Sequence, residues 1–304
     1  MEYSKDLFEK VSEEEKNSEE IVRPSLTFWQ DAWRRLKTNK LAMVGFAFVI
    51  FITLLAIFGP MFSKYNYSAQ DFSIANQGPS SVHWFGTDKF GRDTFIRVLY
   101  GARISLTVGY VASLLNLFVG ILYGGISGYF GGKVDNIMMR ITEVLYAIPM
   151  MIYVILFMVI LGTGLKSIII ALAVCYWVTM ARIVRGQIMS LKQQEFVLAA
   201  KTIGVSPMKI ILKHLIPNCM GPIIVTLTLT VPDAIFTESF LSFVGLGVSA
   251  PQASWGTLAS ESLQSFQMYP SLILFPSLAI CLTILAFNFL GDGLRDALDP
   301  KMRK

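Results

Sequence analysis

Four stretches of this chain run for 20 residues or more without a charge, at 41–62, 104–126, 144–165 and 271–290. A helix needs about 20 apolar residues to cross a hydrocarbon core roughly 30 Å thick. Inside that core the backbone must satisfy its own hydrogen bonds, so an open sheet or a loop cannot take the place of the helix. Two further stretches carry interruptions. Residues 167–181 are short and run on past Arg182, and residues 215–244 contain Pro232, Asp233 and Glu238. Six transmembrane helices are therefore expected, in an all-α polytopic membrane protein. The composition agrees, with 54% hydrophobic and only 15% charged residues and a mean hydropathy of +0.56.

An even number of spans puts both termini on one face, and the basic residues tell which. Of the 26 Lys and Arg, 20 fall on the side of the termini; Lys64, Lys89, Arg92, Arg97, Arg103 and Lys166 make up the other six. The excess assigns the termini to the cytoplasm. It also accounts for the net charge of +5 without nucleic-acid binding. The charged first forty residues and a first apolar run of span length read as an uncleaved insertion signal. Cys175, Cys219 and Cys281 lie in or beside spans without metal-ligand spacing, so neither a disulfide nor a metal cluster is expected.

The chain divides into a cytoplasmic tail and collar at 1–40, a first span at 41–62, an outer loop at 63–103, a five-helix core at 104–291 and a cytoplasmic tail at 292–304. Residues 1–22 hold eight acids and three lysines and read as disordered or as a loosely docked helix. Trp29, Trp33, Arg34, Arg35, Lys37 and Lys40 follow as an aromatic and basic collar for the lipid headgroups. In the outer loop, Asp88 with Arg92 and Asp93 with Arg97 are spaced i,i+4. With Phe95, Ile96, Val98 and Leu99 they predict a short interfacial helix before the second span.

Gly120, Gly124, Gly128 and Gly132 recur at every fourth position, a stripe that lets another helix approach closely. The stripe serves either a helix of the same chain or a partner. It contains the sequence GISG at 125–128, a pattern also found around intramembrane serine nucleophiles. That chemistry needs a histidine inside a span, and the two histidines, His83 and His214, lie outside. Ser127 is thus read as a packing residue. No HExxH, Walker A or metal-ligand cluster appears, so no enzyme activity is expected and any energy for work must come from elsewhere.

Residues 195–218, EFVLAAKTIGVSPMKIILKHLIPN, form a polar interruption between two spans. Glu195 opens a short helix to about Ile203, and Gly204 suits the left-handed position that ends it. Ser206 is placed to cap the next helix, Pro207 to occupy its first turn, and Pro217 to end it. Ile210, Ile211, Leu212 and Leu215 would form one apolar face, away from Lys209 and Lys213. Spacing alone leaves two readings open: a docking element for another protein, or an amphipathic helix lying on lipid.

The order Ala199-Ala200, then Gly204, then Ile216-Pro217 resembles the EAA loop of permease subunits of ABC importers, here at 190–218. Leu198 stands where that pattern has a glutamate, and His214 where it has an aliphatic residue. HWFGTDKFGRD at 83–93, YGARISL at 100–106, ESFLSFVGLG at 238–247, ASWGTLAS at 253–260 and GDGLRDALDP at 291–300 are similar to the C-type permeases of oligopeptide and dipeptide importers. The resemblance implies the type I importer permease fold. It makes Glu195, Ala199, Ala200, Gly204, Ser206, Pro207, His214 and Pro217 an ATPase-coupling loop.

It also implies partners: a B-type permease that completes the path, two ABC ATPase subunits that carry the ATP and Mg, and an extracytoplasmic peptide-binding protein. The chain itself would hold no cofactor or metal. Asp233, Glu238 and Glu143 are candidates for the translocation path, because ionisable groups inside a membrane are costly and tend to be functional. Against that, Glu143 can pair with Arg140, and Glu238 should lie near the outer surface. A related importer of nickel or glutathione, and a stand-alone membrane enzyme or secondary carrier, are the competing readings.

Overall fold

In the computed structural model, which describes residues 27–299, no strand is present among the described residues; a single bridge joins Thr87 and Asp93. Thr27 caps an amphipathic helix α1 (Phe28–Thr38), its hydroxyl and Gln30 forming a reciprocal capping box. Asn39 then caps α2 (Lys40–Phe62), the first span. Only Ala32 and Leu36 of α1 are buried; Phe28, Trp29 and Trp33 are exposed, as a membrane-surface collar requires. The expected tail at 1–22 lies outside the described residues.

Asp93 caps α3 (Thr94–Phe130), 37 residues in one helix. The interfacial helix and the second span expected separately are thus continuous. Gly131, at φ +67°, ends it and leads into α4 (Gly132–Ala147), α5 (Met150–Leu161) and α6 (Leu165–Leu191). The third span expected at 144–165 is corrected here. The axis bends by 83° between α4 and α5, because Pro149 can donate no backbone hydrogen bond and forces Ile148 into an extended conformation.

After the polar loop come α9 (Met220–Leu241), α10 (Trp255–Ser262) and α11 (Ser271–Leu298); α7 and α8, in the loop, are described below. Among the described residues, five helices are long and apolar enough to cross a membrane, and six spans result if the bent pair counts as one. The helix α11 extends eight residues past the expected span end at 290, so most of the described part of the expected tail is helical. Leu36, Ala42 and Ala297 pack together, which puts the two ends of the described chain on the same face.

The core is held by close helix approach. A Cβ on Gly120 would run into the Met180 side chain, one on Gly124 into the Ala181 carbonyl, and one on Gly128 would come within 2.8 Å of the Arg185 carbonyl. The stripe therefore packs α3 against α6 of the same chain, and its face is settled. Gly132 is not part of it: it starts α4 at φ +53° with open space where a Cβ would be.

Candidate functional site

In the polar loop, α7 (Glu195–Thr202) turns back through Gly204 at φ +77°. Val205 N–H donates to the Ala200 carbonyl at 3.1 Å and Gly204 N–H to the Lys201 carbonyl at 3.0 Å, the pair of bonds of a Schellman ending. Pro207 occupies the first turn of α8 (Pro207–Ile210). Ser206 holds the cap position, but its hydroxyl makes no capping bond, which corrects the expected cap.

The helix does not stop at Pro217. It passes through a π turn at Ile211–Leu215 into Ile216–Asn218, and after Cys219 α9 begins. Pro217 lacks the N–H that would reach back four residues, and the wider turn takes up the mismatch, with Ile216 N–H reaching the Ile211 carbonyl. Asn218 Nδ2 donates to the His214 carbonyl at 2.6 Å.

The loop is gripped from one side only. Val197, Ala200, Ile210, Ile211 and Leu215 are buried and pack with Ile188 and Val184 of α6. Leu212, expected on that face, is exposed instead, as are Lys209 and Lys213. On the free side stand Phe196, Leu198, Ile203, Met208 and Leu212, with Ile203 79% exposed. Ala199 is exposed too, and no atom lies within 4 Å of where a Gly204 Cβ would be. Small residues at a tight turn, ringed by unburied apolar side chains, make a surface that another body can approach closely.

The three acids expected near a path lie in three different settings. Glu238, placed near the outer surface by the sequence reading, is fully buried inside the chain. Ser105 Oγ donates to it at 2.8 Å, Ser242 Oγ at 2.7 Å and Ser239 Oγ at 3.5 Å, and Ser254 Oγ bonds in turn to Ser242. The carboxyl ties α9 to Ser105 of α3 and, through Ser242, to Ser254, the residue that caps α10. Asp233 is exposed on α9 beside exposed Phe236 and Phe240. Glu143 pairs with Arg140 at 2.7 Å and lines a cavity of about 1060 Å³ with Arg140, Arg182, Arg185, Ile137 and Val144.

The expected Asp88–Arg92 pair forms at 2.7 Å, but it belongs to one of two ion clusters whose other partners are far apart in the chain and have no local signature. Asp135, on α4, accepts from Arg185 of α6 and Ser127 of α3. On the opposite face, Arg97 pairs with Asp88 at 2.6 Å and with Glu261 of α10 at 2.9 Å, while Arg92 joins the same two acids. The expected Asp93–Arg97 pair does not form. Asp93 caps α3 through Ile96 N–H and binds His83 Nδ1 at 2.8 Å. Among the described residues, no group of three or more His, Cys, Asp or Glu could hold a metal ion.

Residues 120–304 match the family model described as binding-protein-dependent transport system inner membrane component, and residues 27–79 the N-terminal TM domain of oligopeptide transport permease C. The oligopeptide transport system permease protein OppC of Bacillus subtilis (strain 168) is 52% identical over 300 residues, covering 99% of this chain and 98% of that relative. The dipeptide transport system permease protein DppC of the same organism is 54% identical over 297 residues, 97% and 93% of the two chains. The glutathione transport system permease protein GsiD of Escherichia coli O6:K15:H31 (strain 536 / UPEC) is 41% identical over 94% of this chain and 96% of its own length. Among solved structures, an inward-facing MetNI methionine ABC transporter matches with a TM-score of 0.56 at 19% identity, covering 67% of this chain and 97% of that one. That likeness concerns the fold alone.

Proposed function

This chain belongs to the family of binding-protein-dependent transport system inner membrane components, and from that premise we propose that it is the C-type permease of an ABC importer for oligopeptides or dipeptides. The loop at 190–218 is its ATPase-coupling element, docked through Ala199, Gly204 and the exposed side chains around them, while Ala200 faces the other way and packs against α6. One observation carries this reading: the loop is anchored to α6 on one side and bare and apolar on the other, at a turn where a side chain would meet nothing of its own chain. A helix lying on lipid would have less need of the small residues at the turn.

In this reading the termini and the loop are cytoplasmic, as the distribution of Lys and Arg supports. Two ATPase subunits hold ATP and Mg and supply the driving force; a B-type permease completes the path, and an external binding protein delivers cargo. The chain performs no chemistry of its own. Its part is to convert closure of the ATPases into rearrangement of the spans, which requires a contact whose affinity differs between two states.

Peptide cargo is supported by the 52% and 54% identical relatives, whose names specify oligopeptides and dipeptides. Glutathione is the second cargo reading, on the more distant 41% relative. Asp233 and Glu143 remain the path candidates, since both are open to the outside of this chain, and an exposed carboxylate in a span is positioned to attract an amino terminus. If Asp233→Asn leaves uptake and length preference as in the wild type, that role is wrong.

The deciding experiment purifies the complete transporter and follows ATP hydrolysis. Two ATPase subunits should copurify with the permease pair, and cargo-loaded binding protein should stimulate hydrolysis only in the full assembly. Transport by this chain without ATPases would refute the proposal.

A further inference from the structure

A buried charge is costly unless it is paired and hydrogen-bonded. On the face of the coupling loop the clearest case is Asp135, on the first turn of α4 and only 5% exposed. Arg185 Nε donates to Oδ1 and Nη2 to Oδ2, each at 2.5 Å, and Ser127 Oγ reaches Oδ1 at 2.5 Å. A two-pronged guanidinium–carboxylate pair fixes direction as well as distance. The Gly124 and Gly128 contacts bring α3 and α6 close enough to assemble it, and Lys192 Nζ closes the arrangement on the Gly128 carbonyl at 2.8 Å.

The pair stands between two parts of the molecule that the proposed function needs to connect. Six residues after Arg185, α6 ends at Leu191, and the loop helix α7 starts at Glu195. Past Asp135, α4 carries Arg140 and Glu143 along the wall of the 1060 Å³ cavity before the 83° bend into α5. A neutral side-chain tie also joins α3 to α4, Tyr123 OH to the Met138 carbonyl at 2.8 Å, and Arg182 of α6 lies over the Tyr146 ring of α4.

We propose that the Asp135–Arg185 pair is a strut that makes the end of α6 and the helix α4 move as one body. Displacement of the coupling loop is thereby delivered to the cavity wall. The inference rests on the coupling-loop reading above. Asp135 and Arg185 act here as positioning residues, although Arg185 also borders the cavity, and their effect is on how much transport each ATP yields.

The test uses the complete transporter in proteoliposomes, with peptide uptake and ATP hydrolysis read in the same vesicles. For Asp135→Asn and Arg185→Gln, hydrolysis should stay within about twofold of wild type while peptide imported per ATP falls at least about fivefold, the lower end of usual inter-site coupling. Exchanging the charges, Asp135→Arg with Arg185→Asp, should recover most of the ratio. A pair that only holds the fold together would lower uptake and hydrolysis in step with the amount of complex. That result overturns the proposal, and so does an unchanged ratio.

If the neutral variants fail to assemble, Arg185→Lys decides. It keeps a cation beside Asp135 without the fork, and an unchanged ratio there also overturns the strut. Gly204→Asp in the same preparation separates the two levels. Normal uptake by that variant removes the coupling loop itself, whereas lost uptake there with an unchanged ratio in the Asp135 and Arg185 variants removes only the strut.

Discussion

Replacing Gly204 by aspartate tests the coupling loop most directly, because the structure separates its effect on folding from its effect on docking. Gly204 sits at φ +77°, where a side-chain-bearing residue costs roughly 1 kcal/mol, and Asp and Asn less than most. No atom lies within 4 Å of the added Cβ, so no steric cost inside the chain is added. About 1 kcal/mol changes a folded-to-unfolded ratio about fivefold, which a stability of 5 kcal/mol or more absorbs. Against a docked partner the same carboxylate would be desolvated without a counter-charge. A penalty of about 3 kcal/mol for an unsatisfied polar group there weakens docking roughly a hundredfold. Gly204→Asn carries the same backbone strain without the charge, and Gly204→Ala carries little bulk. Uptake should fall in the order Ala, Asn, Asp, with all three variants present in the membrane at similar levels and melting within a few degrees of wild type. Copurification of the ATPases should fall in the same order. Normal uptake by Gly204→Asp would refute the reasoning, and so would a loss that tracks the amount of folded chain.

Four further outcomes follow from packing and charge. Gly124→Leu forces a side chain into the Ala181 backbone, and overpacking of about 1–3 kcal/mol or more should appear as a lowered melting temperature in detergent. Arg97→Met should destabilise by about 3 kcal/mol, since it strips a buried network of its central cation. Arg140→Met should change the same melting curve by less than about 1 kcal/mol, because its pair with Glu143 is 81% and 53% exposed. Glu238→Gln should be tolerated within about 1 kcal/mol, as the serine hydroxyls can turn to suit an amide, while Glu238→Ala strands buried hydroxyls at about 1–3 kcal/mol each.

Much of this architecture was legible because hydropathy and backbone chemistry are local. The spans at 41–62 and 271–290 correspond to α2 and most of α11, and Gly204 takes the left-handed conformation its position called for. The bend at Pro149 was visible as a proline yet was submerged in an uninterrupted apolar run, since hydropathy carries no angular information. The helix α10 went unseen because its capping residue, Ser254, is followed three residues later by Thr257 in place of the Glu or Gln of the familiar box. The Asp93–Arg97 expectation failed for a different reason. Helical spacing brings two side chains within reach, but Asp93 instead takes the buried His83, outside the helix, and Arg97 takes Asp88 and the part-exposed Glu261, far along the chain. Asp135 and Arg185 are 50 residues apart, and no local pattern links them.

The length of α3 has a mechanical meaning. Its 37 residues span about 55 Å at 1.5 Å per residue, nearly twice a hydrocarbon core of roughly 30 Å. One end is seated by Arg97 in the ion network with Glu261, and the other contributes Ser127 to the cluster around Asp135. One unbroken helix is thus longer than the hydrocarbon core is thick and joins the two ion clusters with no loop between them, so a tilt at one end need not pass through a flexible segment to reach the other.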